Sequence, residues 1–155
     1  MKSIQQWLDE YGESHRNPTN KLIHWICVPA ITFSLLGLLW SIPVPAAMAS
    51  VSPWLNWATL FAVLAGLFYL RLSTTIFMGM TVVAVAMLVV CDLIARSEWS
   101  LWQLSLLVFV VAWVGQFIGH KIEGKKPSFF KDLQFLLVGP AWLLGFVWRR
   151  LGIRL

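Results

Sequence analysis

The sequence predicts an all-α integral membrane helical bundle. It has four full transmembrane helices, an amphipathic helix at the N-terminus and a re-entrant or interfacial hydrophobic segment at the C-terminus. Three observations predict this. The 155-residue chain is 59% hydrophobic and 12% charged, against roughly 25% charged in soluble domains. A soluble domain this small could not hide that much apolar surface. The apolar residues also fall into long charge-free runs, and most tryptophans sit at the ends of those runs, where an aromatic belt belongs. The length suits one domain, residues 1–155.

The elements follow in order. Ile4, Trp7, Leu8 and Tyr11 recur at helical spacing and share one face, so residues 3–16 read as a short amphipathic helix, with Ser3 as its cap. It lies on the membrane surface or packs on the bundle. Asn17-Pro18 is expected to end it, because proline pushes the residue before it out of the α region. Trp25 to Ile42 carries no charge and reaches about 27 Å as a helix, just enough to cross, with Pro29 as a site of kinking. A proline-rich loop runs from Pro43 to Pro53. The second span is Trp54 to Leu70, and Arg71-Leu72-Ser73 links it tightly to the third, Thr74 to Cys91. Asp92, Arg96 and Glu98 mark the next boundary. Leu101 to Gly119 is the fourth span, and a lysine-bearing polar stretch follows from His120 to Asp132. The last apolar run, residues 133–148, is short and interrupted by Gly139-Pro140, where a hairpin is expected to turn.

Charge sets the topology. With a cytoplasmic N-terminus and four spans, every Lys and Arg except Arg96 falls on the inside, in strong agreement with the positive-inside rule. A fifth crossing by residues 133–148 would move three arginines out, which is why a re-entrant segment is preferred. Non-helical backbone at depth is acceptable where protein covers it.

Composition excludes several functions. The net charge is +5, but no basic run is interleaved with base-reading groups, so the excess reflects topology and not nucleic-acid binding. Cys27 and Cys91 lie in apolar stretches and form neither a disulfide framework nor a Cys-x-x-Cys site. The polar N-terminus is no signal peptide. There is no nucleophile elbow, P-loop or dinucleotide fingerprint. The first two spans contain no charge, which gives an ion pathway little support.

What remains is a set of histidines. His15 precedes the first span, His24 opens it and His120 closes the fourth, so the topology puts all three at the cytoplasmic face. Glu123 follows His120 at i+3 and shares its face if the fourth helix continues to Gly124. Helical bundles bind iron with Glu and His at that spacing. Imidazole with carboxylate suits iron(II) with open positions, and zinc would take the same ligands. The same residues would also serve simply as interfacial hydrogen-bonding groups. Asn17, Asn20 and Gln116 are candidates for orienting the ligands, or else turn residues and an interhelical hydrogen bond. Arg16, Lys21, Lys121, Lys125 and Lys126 are candidates for receiving a carboxylate, or else membrane-interface anchors.

Two motifs add a family. The run from Tyr11 to Pro29, YGESHRNPTNKLIHWICVP, and the run from Gln116 to Pro140, QFIGHKIEGKKPSFFKDLQFLLVGP, resemble those of the Mpo-type 2-hydroxy fatty acid dioxygenases. The pairing of H-x-N-P-x-N-x-x-x-H with G-H-x-x-E-x-x-x-P carries the resemblance, which covers nearly the whole chain. His15, His24 and His120 match the motif histidines and Glu123 the acid. Ile122 stands where the family is often aromatic, which bears on packing more than on ligation. The resemblance implies an Fe(2+)-dependent enzyme that uses O2 to shorten a 2-hydroxy fatty acid by one carbon, in fatty acid α-oxidation. His15, His24, His120 and Glu123 would be both catalytic and metal-binding. The topology above puts the active site on the cytoplasmic side, among membrane lipids, and the polar N-terminus suits a bacterial inner-membrane or endoplasmic-reticulum protein. The rivals are a metal-dependent membrane lipid hydrolase, a non-enzymatic lipid-binding protein and a bis-histidine haem protein. Homo-oligomerisation stays open.

Overall fold

The computed structural model describes residues 2–126 and 134–155. Lys131, and Leu133 at the start of the expected C-terminal segment, lie outside the described residues. Among those described the protein is all-helical: seven helices and no strand.

The amphipathic N-terminal helix is α1, Ile4–Gly12. Ser3 and Gln6 form a reciprocal capping box at its start. Its four predicted apolar residues, Ile4, Trp7, Leu8 and Tyr11, are the ones it buries. The helix packs on the bundle: Trp7 meets Phe135 edge-on at 5.2 Å and Tyr11 meets Trp142 at 5.4 Å.

The first span differs from expectation at its start. α2 runs Pro18–Trp40, not from Trp25. Asn17 caps it by accepting from the N–H groups of Thr19 and Asn20, and Pro18 occupies the first turn, where its missing N–H costs nothing. α1 ends at Gly12, short of the expected residue 16, so the pair read as its stop signal acts as the start signal of α2 instead. The extra turns carry Asn20 and His24 into a helix. Pro29 lies within α2 without ending it.

A short α3, Ala46–Ala49, sits in the proline-rich loop. α4 spans Trp57–Leu72, α5 spans Thr74–Ala95 and α6 spans Leu101–Glu123. Ser73 alone separates α4 from α5, and its hydroxyl accepts from the Ile76 N–H to cap the second helix. Three helices, α2, α5 and α6, are long and apolar enough to cross a membrane. The expected fourth, α4, starts late because Asn56 caps it. Its 16 residues rise only about 24 Å, short of the roughly 30 Å hydrocarbon core. Within the three long spans only 28%, 28% and 22% of the most apolar windows are buried. Lipid is the solvent that suits the rest.

The expected hairpin at Gly139-Pro140 is absent. α7 is one continuous helix, Phe135–Arg150, with Pro140 inside it. Proline removes one backbone hydrogen bond, but packing outweighs that loss: Phe135, Val138, Ala141, Trp142 and Leu143 are all buried in the main core cluster with α1. The Tyr69 hydroxyl donates to the Leu137 carbonyl at 2.7 Å, adding a bond in the turn that Pro140 weakens. A second cluster, with Leu36, Ala58, Leu88, Cys91 and Leu101, holds the other end of α2.

Candidate metal centre

His15 sits in the link between α1 and α2, His24 on α2 and His120 near the end of α6. All three are buried, at 1%, 0% and 4% exposure. Their rings stand nearly perpendicular to one another, with centroids 4.1, 4.9 and 5.0 Å apart. One nitrogen from each lies within 4.8 Å of the others.

Hydrogen bonds fix two of the tautomers. His15 Nδ1 lies 2.6 Å from the Tyr11 carbonyl, and His24 Nδ1 lies 2.9 Å from the Asn20 carbonyl. A carbonyl only accepts, so each Nδ1 carries the proton and each neutral ring presents a bare Nε2. Those two Nε2 atoms are 2.8 Å apart. With no proton between them, two lone pairs face each other. Burial, reinforced by the neighbouring His24, pulls the His15 imidazole down to about 3, so neutral protein does not relieve the clash by protonating this ring. The His120 Nδ1 is also buried without a hydrogen-bond partner. Three buried basic nitrogens with this arrangement fit a metal cation. The 2.8 Å separation is a few tenths of an ångström under the roughly 3.3 Å between two imidazole nitrogens on one tetrahedral ion.

The surroundings hold the rings in place. Tyr11 stacks on His15 at 4.2 Å, nearly parallel, and Trp142 lies 5.2 Å from the same ring. Asn20 is wholly buried, and its amide donates to the Ser14 carbonyl and to Glu123. Gly119 makes this fit possible, since a Cβ there would overlap the Asn20 side-chain oxygen.

Glu123, expected as a fourth ligand, has its carboxylate turned to backbone and amide donors. α6 does continue to Glu123, ended by Gly124 in the left-handed conformation at φ 72°. The carboxylate, however, is already engaged. Oε1 accepts from the Arg16 N–H at 2.9 Å, and Oε2 accepts from the Asn17 N–H at 2.8 Å and the Asn20 amide at 3.0 Å. It clamps the start of α2 to the end of α6, and the group of candidate metal donors consists of the three histidines without it.

The other predicted residues separate. Asn17 and Asn20 join the clamp. Gln116 is buried with its amide nitrogen unpartnered, and it lines a small cavity of about 50 Å³ with His120 and Tyr11. Arg16 and Lys21 line a larger pocket of about 250 Å³ that includes His15. Lys121 is exposed. Lys125 donates to the Glu13 carbonyl at 2.8 Å. Sequence reasoning missed Tyr11 and Trp142, which pack on the His15 ring, and Arg149, which lines the larger pocket. Tyr11 left one signal, its position four residues before His15, the spacing at which its carbonyl meets the ring.

A protein that is all-helical among the described residues, with three helices long and apolar enough to cross a membrane and a buried three-histidine cluster able to hold a metal ion, is the class that fold and site define. Within that class, this chain belongs to the Mpo1-like family: the family described as 2-hydroxy-palmitic acid dioxygenase Mpo1-like matches residues 1–151. The chain is similar to the 2-hydroxy-palmitic acid dioxygenase MPO1 of Saccharomyces cerevisiae. The two are 28% identical over 151 residues, which cover 93% of this chain and 79% of the yeast protein. No solved structure matches the chain.

Proposed function

We propose that this protein is an iron(II)-dependent dioxygenase that shortens 2-hydroxy fatty acids by one carbon, with His15, His24 and His120 as the metal ligands. The observation that carries the proposal is the pair of bare Nε2 atoms 2.8 Å apart, each ring locked by a backbone carbonyl. The three-histidine set alone suits zinc as well as iron(II); family membership favours an oxygen-using metal.

The chemistry balances without a second reductant. A 2-hydroxy acid and O2 give the acid one carbon shorter, CO2 and water. The C1–C2 bond breaks, C1 leaves as CO2 and C2 becomes the new carboxyl carbon. The substrate loses four electrons and O2 accepts all four. Palmitate lacks the 2-hydroxyl and would have to give six, so it is not a substrate. Iron(II) bound by the histidines would supply the redox chemistry that lets O2 react. The protein supplies the rest. The Tyr11 and Asn20 carbonyls keep two ligands in the correct tautomer, burial excludes bulk water, and the Glu123 clamp holds α2 against α6. The cavity of about 50 Å³ beside His120 admits dioxygen or a few waters but no acyl chain.

The test is oxygen uptake by purified protein reconstituted anaerobically with iron(II). Uptake is expected with 2-hydroxypalmitate and not with palmitate, and both it and bound iron are lost in His24→Ala and His120→Ala. Stoichiometric zinc with no oxygen uptake would overturn the dioxygenase in favour of a metal-dependent hydrolase.

A further inference from the structure

The pocket of about 250 Å³ between α1, the start of α2 and the end of α7 has a chemistry of its own. Arg16, Lys21 and Arg149 bring three cations to it, against two acids, Asp9 and Glu13. Among the described residues none of the three cations is ion-paired, the ion pairs there being Lys2 with Glu10 and Arg96 with Asp92, and the lining keeps a formal excess of one positive charge. The Arg149 guanidinium lies 5.1 Å over the Phe146 ring, a cation–π contact that holds it beside the pocket. Leu8, Trp142 and Phe146 make the remaining wall apolar, and His15 of the histidine cluster also lines it. Lined by more cations than acids, by large apolar side chains and by a candidate metal ligand, the pocket suits an anionic head on an acyl chain. Its size agrees. A cavity of about 150 Å³ accommodates benzene, so about 250 Å³ takes on the order of ten non-hydrogen atoms. That is a 2-hydroxy carboxylate head and its first methylenes, with the rest of the chain running out into lipid.

We infer that Arg149, with Arg16 and Lys21, forms the carboxylate subsite of the substrate and orients C1 and C2 toward the histidines. This inference rests on the proposed 2-hydroxy acid substrate. Arginine suits the task because its planar fork matches a carboxylate with two parallel hydrogen bonds.

The test measures binding, not turnover. Radiolabelled 2-hydroxypalmitate is titrated onto protein loaded with zinc in neutral phosphatidylcholine nanodiscs, and metal content is measured on the same samples. Arg149→Gln is expected to weaken binding at least tenfold, Arg149→Lys to recover most of the loss, and Arg150→Gln, which alters a neighbouring cation outside the pocket, to change it less than twofold. Arg16→Gln with Lys21→Gln should weaken binding independently. Equal effects of Arg149→Gln and Arg150→Gln would mean a general surface field and overturn the subsite. So would competition by 1,2-hexadecanediol as strong as by the acid. Hexadecyl phosphate competing more strongly than the acid would assign the pocket to a lipid phosphate instead. Normal metal content with no Arg149 effect overturns the subsite alone, whereas a protein that takes up no metal overturns the reading beneath it.

Discussion

At the scale of single residues, the three histidines show how burial and hydrogen bonding together decide chemical state. An exposed imidazole would gain a proton near pH 6.5. His15 is buried, and its folded value is pulled to about 3. The folded state therefore binds fewer protons than the unfolded state between those values. The stabilisation is full above pH 6.5 and is lost as pH falls toward 3. Metal-free protein is expected to show a falling midpoint of thermal unfolding as pH drops from 7 to 4, and His15→Gln should flatten that dependence. A midpoint that rises on acidification would contradict it. The residue scale is also where the sequence was least legible. His15, His24 and His120 could be named from it because histidine is scarce in an apolar chain. That two of them face each other through bare nitrogens depends on backbone carbonyls, which no residue pattern displays. Arg149 was hidden for a different reason: it stands beside Arg150 and reads as one of two interchangeable membrane-interface charges until the fold brings the first of them to the pocket shared with α1.

At the scale of elements, charge-free runs identified α2, α5 and α6, since lipid-facing helices keep charges at their ends, while their boundaries depended on capping. Asn17-Pro18 and Asn56 both move a helix start, one gaining turns and the other losing them. Gly139-Pro140 misled because proline's local cost is visible in sequence, whereas the burial of Phe135, Val138 and Trp142 that offsets it is not. Glu123 belongs to this scale as well. It joins two elements by accepting from Arg16, Asn17 and Asn20, so Glu123→Gln is expected to lower stability by about 1–3 kcal/mol, as loss of hydrogen bonds to a charged acceptor does. Metal affinity should fall roughly 10–100-fold, as when a group that orients ligands is altered. Thermal unfolding with metal titration checks both. A loss of metal as complete as in His120→Ala would make Glu123 a ligand after all.

At the scale of the whole molecule, the positive-inside pattern predicts that the histidine end of the bundle faces the cytoplasm. In a background with Cys27 and Cys91 replaced by serine, a cysteine at Ser52 should react with a membrane-impermeant maleimide added outside intact cells. One at Arg154 should react only after permeabilisation. The reverse pattern would invert the protein and with it the side from which substrate arrives. The clamp that ties Arg16 to Glu123 across 107 positions of chain has a consequence for biogenesis. His15 and His24 leave the ribosome early, while the helix bearing His120 and Glu123 is synthesised only after α4 and α5 have been made. Until then the half-built site has two basic nitrogens and no third. On the proposed function, metal capture is a late act of assembly, and a chain released before α6 is complete carries an unfinished site.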